Sequence, residues 1–159
     1  MAILKKIYIS PESNYWKHKK GKPGPAPTFS PHEVECHEGR GLVGDRFYDF
    51  KKEYGGQVSL MSEDALNELS SVTGVKVDFE VFRRNLIVSE IDPLELIGKK
   101  FSIGTVEFEG SSDCFPCAWM DTAAGEGSFK WLKENQKGGL RALITKSGII
   151  RTGDQLKLL

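Results

Sequence analysis

Three cysteines are too few for a disulfide framework in a chain of 159 residues, and their odd number fits a reducing compartment. Net charge is absent as well, because Lys and Arg total 22 and so do Asp and Glu. Non-specific nucleic-acid binders carry a basic excess, so that class is set aside. No apolar run approaches the roughly 18 residues needed to cross a bilayer, which sets membrane insertion aside too. The opening Met1-Ala2-Ile3-Leu4-Lys5-Lys6 puts its charges after the apolar residues, the reverse of a secretory leader, and reads as a first β-strand. No repeat of about 20–50 residues is present. What remains, at 39% hydrophobic and 28% charged, is the composition of one globular domain spanning 1–159, placed in the cytoplasm.

The pattern along the chain predicts many short strands and few helices. Val34 and Cys36 alternate with Glu33, Glu35 and His37, as in a half-buried strand. Gln57-Val58-Ser59-Leu60 and Asn85-Leu86-Ile87-Val88 read as further strands, the second of them buried. Phe101 and Ile103 face Val106 and Phe108 across Gly104-Thr105, a hairpin signal. Strands return from Leu140 to Leu158, broken by Ser147-Gly148 and Gly153-Asp154. Helices are predicted near Ser62–Ser71, with Ser62 as N-cap, and over Phe129–Asn135. The fold class expected is mainly β: a closed, mostly antiparallel β-barrel with a few short helices rather than a βαβ sheet.

Cys114-Phe115-Pro116-Cys117 sets two thiols three positions apart with proline before the second. Thiolate is the best nucleophile in the chain and its best ligand for a soft metal. The alternative is a packed or locally bridged pair, since free cysteine is among the most buried residue types. Arg40, Arg46, Arg83, Arg84 and Arg141 stand in short segments marked by Gly or Asn. Guanidinium offers fixed, bidentate donors that suit phosphate better than ammonium does. The basic, Pro- and Gly-rich stretch 17–27 reads as a solvated connection, with closure over an anionic ligand as the alternative. A zinc-binding module would need Cys114 and Cys117 together with Cys36 and either His32 or His37. Only one such Cys pair is present, and neighbours Cys36 and His37 would point to opposite faces of a strand.

The motifs Gly41-Leu42-Val43-Gly44-Asp45-Arg46, Gly56-Gln57-Val58-Ser59-Leu60-Met61-Ser62 and Arg83-Arg84-Asn85-Leu86-Ile87-Val88 run in order along the chain. Leu96-Ile97-Gly98-Lys99-Lys100-Phe101, Pro116-Cys117, Gly138-Gly139-Leu140-Arg141-Ala142 and Ile150-Arg151-Thr152-Gly153-Asp154 follow. Together they resemble the MOSC family, the domain found at the C-terminus of molybdenum-cofactor sulfurases and in stand-alone proteins. The resemblance implies a β-barrel that binds a molybdenum-pterin cofactor (molybdopterin), or carries sulfur destined for it. It makes Cys117 both the catalytic thiol and the metal ligand. Arg46, Arg83, Asn85 and Arg141 become the cofactor-binding candidates, because each stands inside a matched motif. Asp45 is read as orienting Arg46, Asn85 as bonding either the pterin or a neighbouring turn, and Cys114 as a core residue before a resolving thiol or second ligand.

The chain departs from the family pattern in two places. Phe47 stands where family members often have His after Gly-Asp-Arg. The pyridoxal-phosphate-dependent desulfurase domain that precedes MOSC in the sulfurases has no room in 159 residues, so carried sulfur would be loaded by another protein. The activity implied is molybdenum-dependent reduction, such as that of N-hydroxylated compounds, or sulfur transfer. The partner implied is a sulfur donor or an electron-transfer protein. A non-catalytic interaction domain with a decayed site is the reading that Phe47 favours.

Overall fold

The computed structural model describes residues 1–13, 26–116 and 119–159. A seven-stranded sheet runs in the order β1 (Ile3–Ile7), β5 (Leu86–Ser89), β4 (Val58–Ser62), β8 (Leu140–Lys146), β7 (Val106–Asp113), β6 (Lys100–Ile103), β10 (Leu156–Leu158). A second sheet of three strands has β2 (Glu33–His37) between β3 (Gly41–Leu42) and β9 (Gly148–Arg151). The helices are α1 (Glu63–Thr73), α2 (Trp119–Ala124) and α3 (Ser128–Glu134), with 3-10 turns at Phe79–Phe82 and Pro93–Leu96.

The large sheet curls until its two edges nearly meet. Leu4 N donates to Asp154 O (2.9 Å), Gly153 N donates to Leu4 O (2.8 Å), and Leu156 N donates to Ala2 O (2.9 Å). The closed barrel expected from the sequence is therefore only nearly closed, because β10 is three residues long and β1 meets mainly the turn that leads into it. The sheet is also mixed rather than mostly antiparallel, since β4 and β5 run parallel. A parallel pair needs a long crossover, and residues 63–85 supply it through α1 and the 3-10 turn at Phe79–Phe82. One βαβ unit is thus built into a mainly β fold.

Burial explains that unit. Leu60, Leu86 and Val88 face the barrel interior, where they join Phe101 and Phe108, stacked at 5.3 Å between ring centroids. Met61 and Ile87 face the other way, into a layer with Leu66, Leu69, Phe82, Met120 and Leu132 beneath the helices. A parallel pair covered on both faces reads as a continuous apolar run, which is what Leu86-Ile87-Val88 is. Fully burying each such side chain contributes about 1.5–3 kcal/mol. Ser62 caps α1 by accepting from Ala65 N (3.1 Å), and Gly74 ends it in the left-handed region at φ 70°.

The last third of β7 is bent by a bulge between Gly110 and Ser112. Gly110 lies flat under the chain segment before β6: its N donates to Lys99 O (3.0 Å) and its O accepts from Gly98 N (2.9 Å). A Cβ at Gly110 would stand 2.1 Å from Leu96 O, a backbone atom that cannot swing aside. Gly110→Ala is expected to lower stability by about 2 kcal/mol or more, read as a lower urea midpoint at unchanged slope. A wild-type midpoint would refute the packing described here.

Candidate functional site

The sequence motifs converge at one end of the large sheet on a cleft of about 350 Å³. Arg46 comes from the turn after β3, where its backbone N donates to Ser10 O (2.8 Å). Arg83 and Arg84 come from the approach to β5. Arg141, second residue of β8, faces out of the barrel between buried Leu140 and Ala142, in register with Ser59 of β4. All four arginines line the cleft, as do Phe47, Tyr54, Cys114, Pro116 and Trp119.

Each arginine is held differently. Arg46 has only 17% of its side chain exposed, and its hydrogen bonds are long: 3.4 Å to Asp45 Oδ1 and 3.5 Å to Arg83 O. Burial lowers its pKa, and Arg84 lowers it further against the opposing pull of Asp45. Arg83 has the left-handed backbone (φ 57°) that few non-glycine residues adopt, closing the 3-10 turn by donating its N to Glu80 O (3.0 Å). Its Nη2 donates to Glu12 O (2.6 Å), while its Nε is buried with no acceptor. Burial and the neighbouring Arg46 charge bring its pKa down to about 10. Arg84 instead spends its donors on main chain, giving Nε to Gly138 O (3.0 Å), Nη1 to Phe82 O (3.3 Å) and Nη2 to Cys114 O (3.5 Å). The Arg141 guanidinium has no hydrogen bond or ion pair among the described residues.

Asp45 was expected to orient Arg46, and the structure places the two side by side. Asp45 is buried and also accepts from Ser10 N (2.9 Å) and Phe47 N (3.3 Å). Asn85 does not join the cleft lining. Its buried amide bonds protein on both sides: Oδ1 accepts from Ser59 N (3.0 Å) and Ser59 Oγ (3.2 Å), and Nδ2 donates to Tyr8 O (3.1 Å). Of the two readings given for Asn85, the geometry supplies the structural one. Arg84 was named with the other arginines but not among the cofactor-binding candidates, and α2, too short for its periodicity to register, was not predicted.

The thiols separate clearly. Cys36 is fully buried in β2, its Sγ near Val34 O (3.9 Å), and His37 on the opposite face bonds Tyr48 through Nδ1. Among the described residues no group of three or more His, Cys, Asp or Glu is placed to hold a metal ion. Cys114 is buried but lines the cleft, and its N donates to Gly139 O (2.8 Å). Gly138 packs under the same strap so closely that a Cβ there would lie 2.4 Å from Cys114 O and 2.6 Å from Pro116 Cδ. Cys117 lies outside the described residues, as does most of the basic stretch 17–27. Phe47, at the position of the family histidine, lies under the Arg46 guanidinium at 4.5 Å, a cation–π contact in place of an imidazole.

The family follows from the whole pattern. Residues 38–157 match the model of the MOSC domain. The chain belongs to the MOSC domain family. That family is associated with molybdenum-cofactor binding and sulfur-related function. The fold is similar to the YuaD protein from Bacillus subtilis (TM-score 0.74, 17% identity, covering 99% of this chain and 96% of that one). It is also similar to YiiM from Geobacillus stearothermophilus (TM-score 0.72, 13% identity, 100% of this chain and 75% of that one). YiiM from Escherichia coli aligns at TM-score 0.65 and 16% identity over 82% of this MOSC chain and 64% of its own. At these identities the likeness is one of fold. No curated protein sequence matches. No helix among the described residues is long and apolar enough to cross a membrane.

Burial pushes the Cys36 thiol up to about 12 from an ordinary value of 9.0. The folded state therefore keeps its proton where the unfolded chain has lost it. The stabilisation is complete below about pH 9 and is lost as pH rises toward about 12. Above about pH 9 wild type is expected to lose up to about 1.4 kcal/mol per pH unit more than Cys36→Ala does. Urea melts of both proteins between about pH 8 and pH 10 read the difference directly. Parallel curves would show that Cys36 titrates normally in the fold.

Proposed function

We propose that this MOSC protein holds a molybdenum-pterin cofactor in the arginine cleft, with Cys117 as the reactive thiol and metal ligand. The observation that carries this is the convergence of Arg46, Arg83 and Arg141 from three distant parts of the chain on one cleft. Cations gathered in one cleft repel each other, and among the described residues Asp45 is the one carboxylate paired with them. A phosphate-bearing ligand supplies the missing negative charge and an acceptor for the buried Arg83 Nε. The residues present therefore fit such a group. Arg46, Arg83 and Arg141 would hold its phosphate end, and the aromatic walls at Phe47, Tyr54 and Trp119 would flank its ring system.

Arg84 positions rather than binds, because its donors tie the cleft floor to the strap that carries Cys114. Cations beside a thiol favour thiolate, the form that suits either metal ligation or attack on a donor persulfide. Pro116, the residue before Cys117 in the sequence, lines the cleft, and its ring fixes its own φ. When bound, molybdenum supplies redox chemistry that the side chains lack. The reading covers sulfur carriage and reduction of N-hydroxylated compounds in the cytoplasm, with a separate protein providing sulfur or electrons.

The test is expression in a cofactor-competent host, followed by molybdenum and pterin analysis of the purified protein. Both should copurify. Replacing Arg46, Arg83 or Arg141 by Ala should weaken retention by about 1.5–3 kcal/mol, the worth of one charge-assisted hydrogen bond. Protein free of molybdenum and pterin would support the decayed-site reading that Phe47 favours.

The thiols provide a second check. At limiting alkylating reagent, Cys117 should label fastest, Cys114 more slowly, and Cys36 only on unfolding. Cys117→Ser should stay folded yet lose molybdenum ligation or persulfide formation, with Cys114→Ser costing less. Native Cys117 that labels last would remove the thiol from the proposal.

A further inference from the structure

The arginine cleft has a neighbour. A second cavity of about 360 Å³ lies against the outer side of α2 and the 3-10 turn before Arg83, and the two cavities share Arg83 and Trp119 as walls. Its own lining is of another character: Val81 and Ala123 are apolar, Thr28 and Thr122 bring hydroxyls, and Glu80 brings a carboxylate. We infer that this second lobe is a binding site for a flat organic acid bearing an amino group at the end remote from its carboxylate.

Three features select that chemistry. Guanidinium has five N–H donors, and among the described residues Arg83 bonds an acceptor only from Nη2, to Glu12 O. Donors therefore remain for both cavities, and a carboxylate is their natural bidentate partner. Trp119, Val81 and Ala123 give the body of the ligand an apolar bed suited to a ring. The Glu80 carboxylate stands exposed at the rim of the lobe, with no hydrogen-bond or ion-pair partner among the described residues. A purely anionic ligand would be repelled by it, whereas an amino group donates to it. Arg83 and Glu80 lie at the two ends of the turn Glu80-Val81-Phe82-Arg83, whose hydrogen bond from Arg83 N to Glu80 O fixes their spacing. The backbone conformation of Arg83, at φ 57°, turns the chain where the two cavities meet.

The lobe stands whichever anion fills the arginine cleft, so its test separates from that of the cofactor. The probes are 4-aminobenzoate, benzoate and inorganic pyrophosphate, each titrated into the purified full-length chain by calorimetry. The first should bind more tightly than benzoate, and pyrophosphate should report the arginine cleft alone. Ala123→Phe fills the lobe and should weaken 4-aminobenzoate about tenfold or more while leaving pyrophosphate unchanged. Thr122→Trp, at an exposed position that tolerates bulk, should do the same if Ala123→Phe fails to fold. Glu80→Ala, which removes the acceptor, should bring 4-aminobenzoate and benzoate to similar affinities.

Absence of 4-aminobenzoate binding, or binding that neither Ala123→Phe nor Thr122→Trp weakens, would overturn the inference. So would a preference over benzoate that survives Glu80→Ala. Should pyrophosphate fail to bind while 4-aminobenzoate behaves as described, the cofactor reading falls and this one holds.

Discussion

The buried amide of Asn85 ties together β1, β4 and the start of β5, and the arginine cleft depends on it. Its side chain takes the N–H and hydroxyl of Ser59 and gives a hydrogen bond to Tyr8 O, while its backbone O accepts from Tyr8 N (2.6 Å). A polar group this deep is tolerated only when its partners are in place, so the three strands are held in one register. Arg83 and Arg84 immediately precede this anchor. Their direction into the cleft is a consequence of where Asn85 is pinned.

Charge is unevenly spent in a chain whose total is zero. Outside the cleft several cations meet a carboxylate, as Arg40 meets Asp49, Arg151 meets Glu33 and Lys137 meets Asp92. The cleft is different, with four guanidinium groups and Asp45 as the paired acid. Burial makes Arg46 and Arg83 more costly to keep charged, which is why their pKa values move down. Such an arrangement is poor for stability and good for capturing an anion, because the ligand removes repulsion that folding has already accepted. Arg84 moderates it by binding backbone carbonyls.

The strap around Cys114 shows how the β-sheet serves the site. The bulge at Gly110–Ser112 bends the end of β7, Asp113 pairs with Leu140, and Cys114 N then bonds Gly139 O. Gly138 and Gly139 allow the two segments to touch backbone to backbone, where any side chain would collide. Phe47 gives the cleft an apolar aromatic wall under Arg46.

Much of this was legible in residue order. Alternating Val34 and Cys36, the Phe101–Phe108 hairpin, the Ser62 cap and the apolar run at Leu86 carry their periodicity or local chemistry in a few neighbouring residues, so their elements are determined locally. The motifs also named Arg46, Arg83 and Arg141 as partners. Residue order did not say that β4 and β5 run parallel, that the barrel stops short of closure, or that Asn85 turns inward while Arg84 braces the floor. Those outcomes hang on contacts between residues far apart in the chain: Tyr8 with Asn85, Leu4 with Asp154, Arg84 with Gly138. A hydrogen-bond donor does not reveal its acceptor from sequence, and only the tertiary fold decides which carbonyl or carboxylate stands within reach.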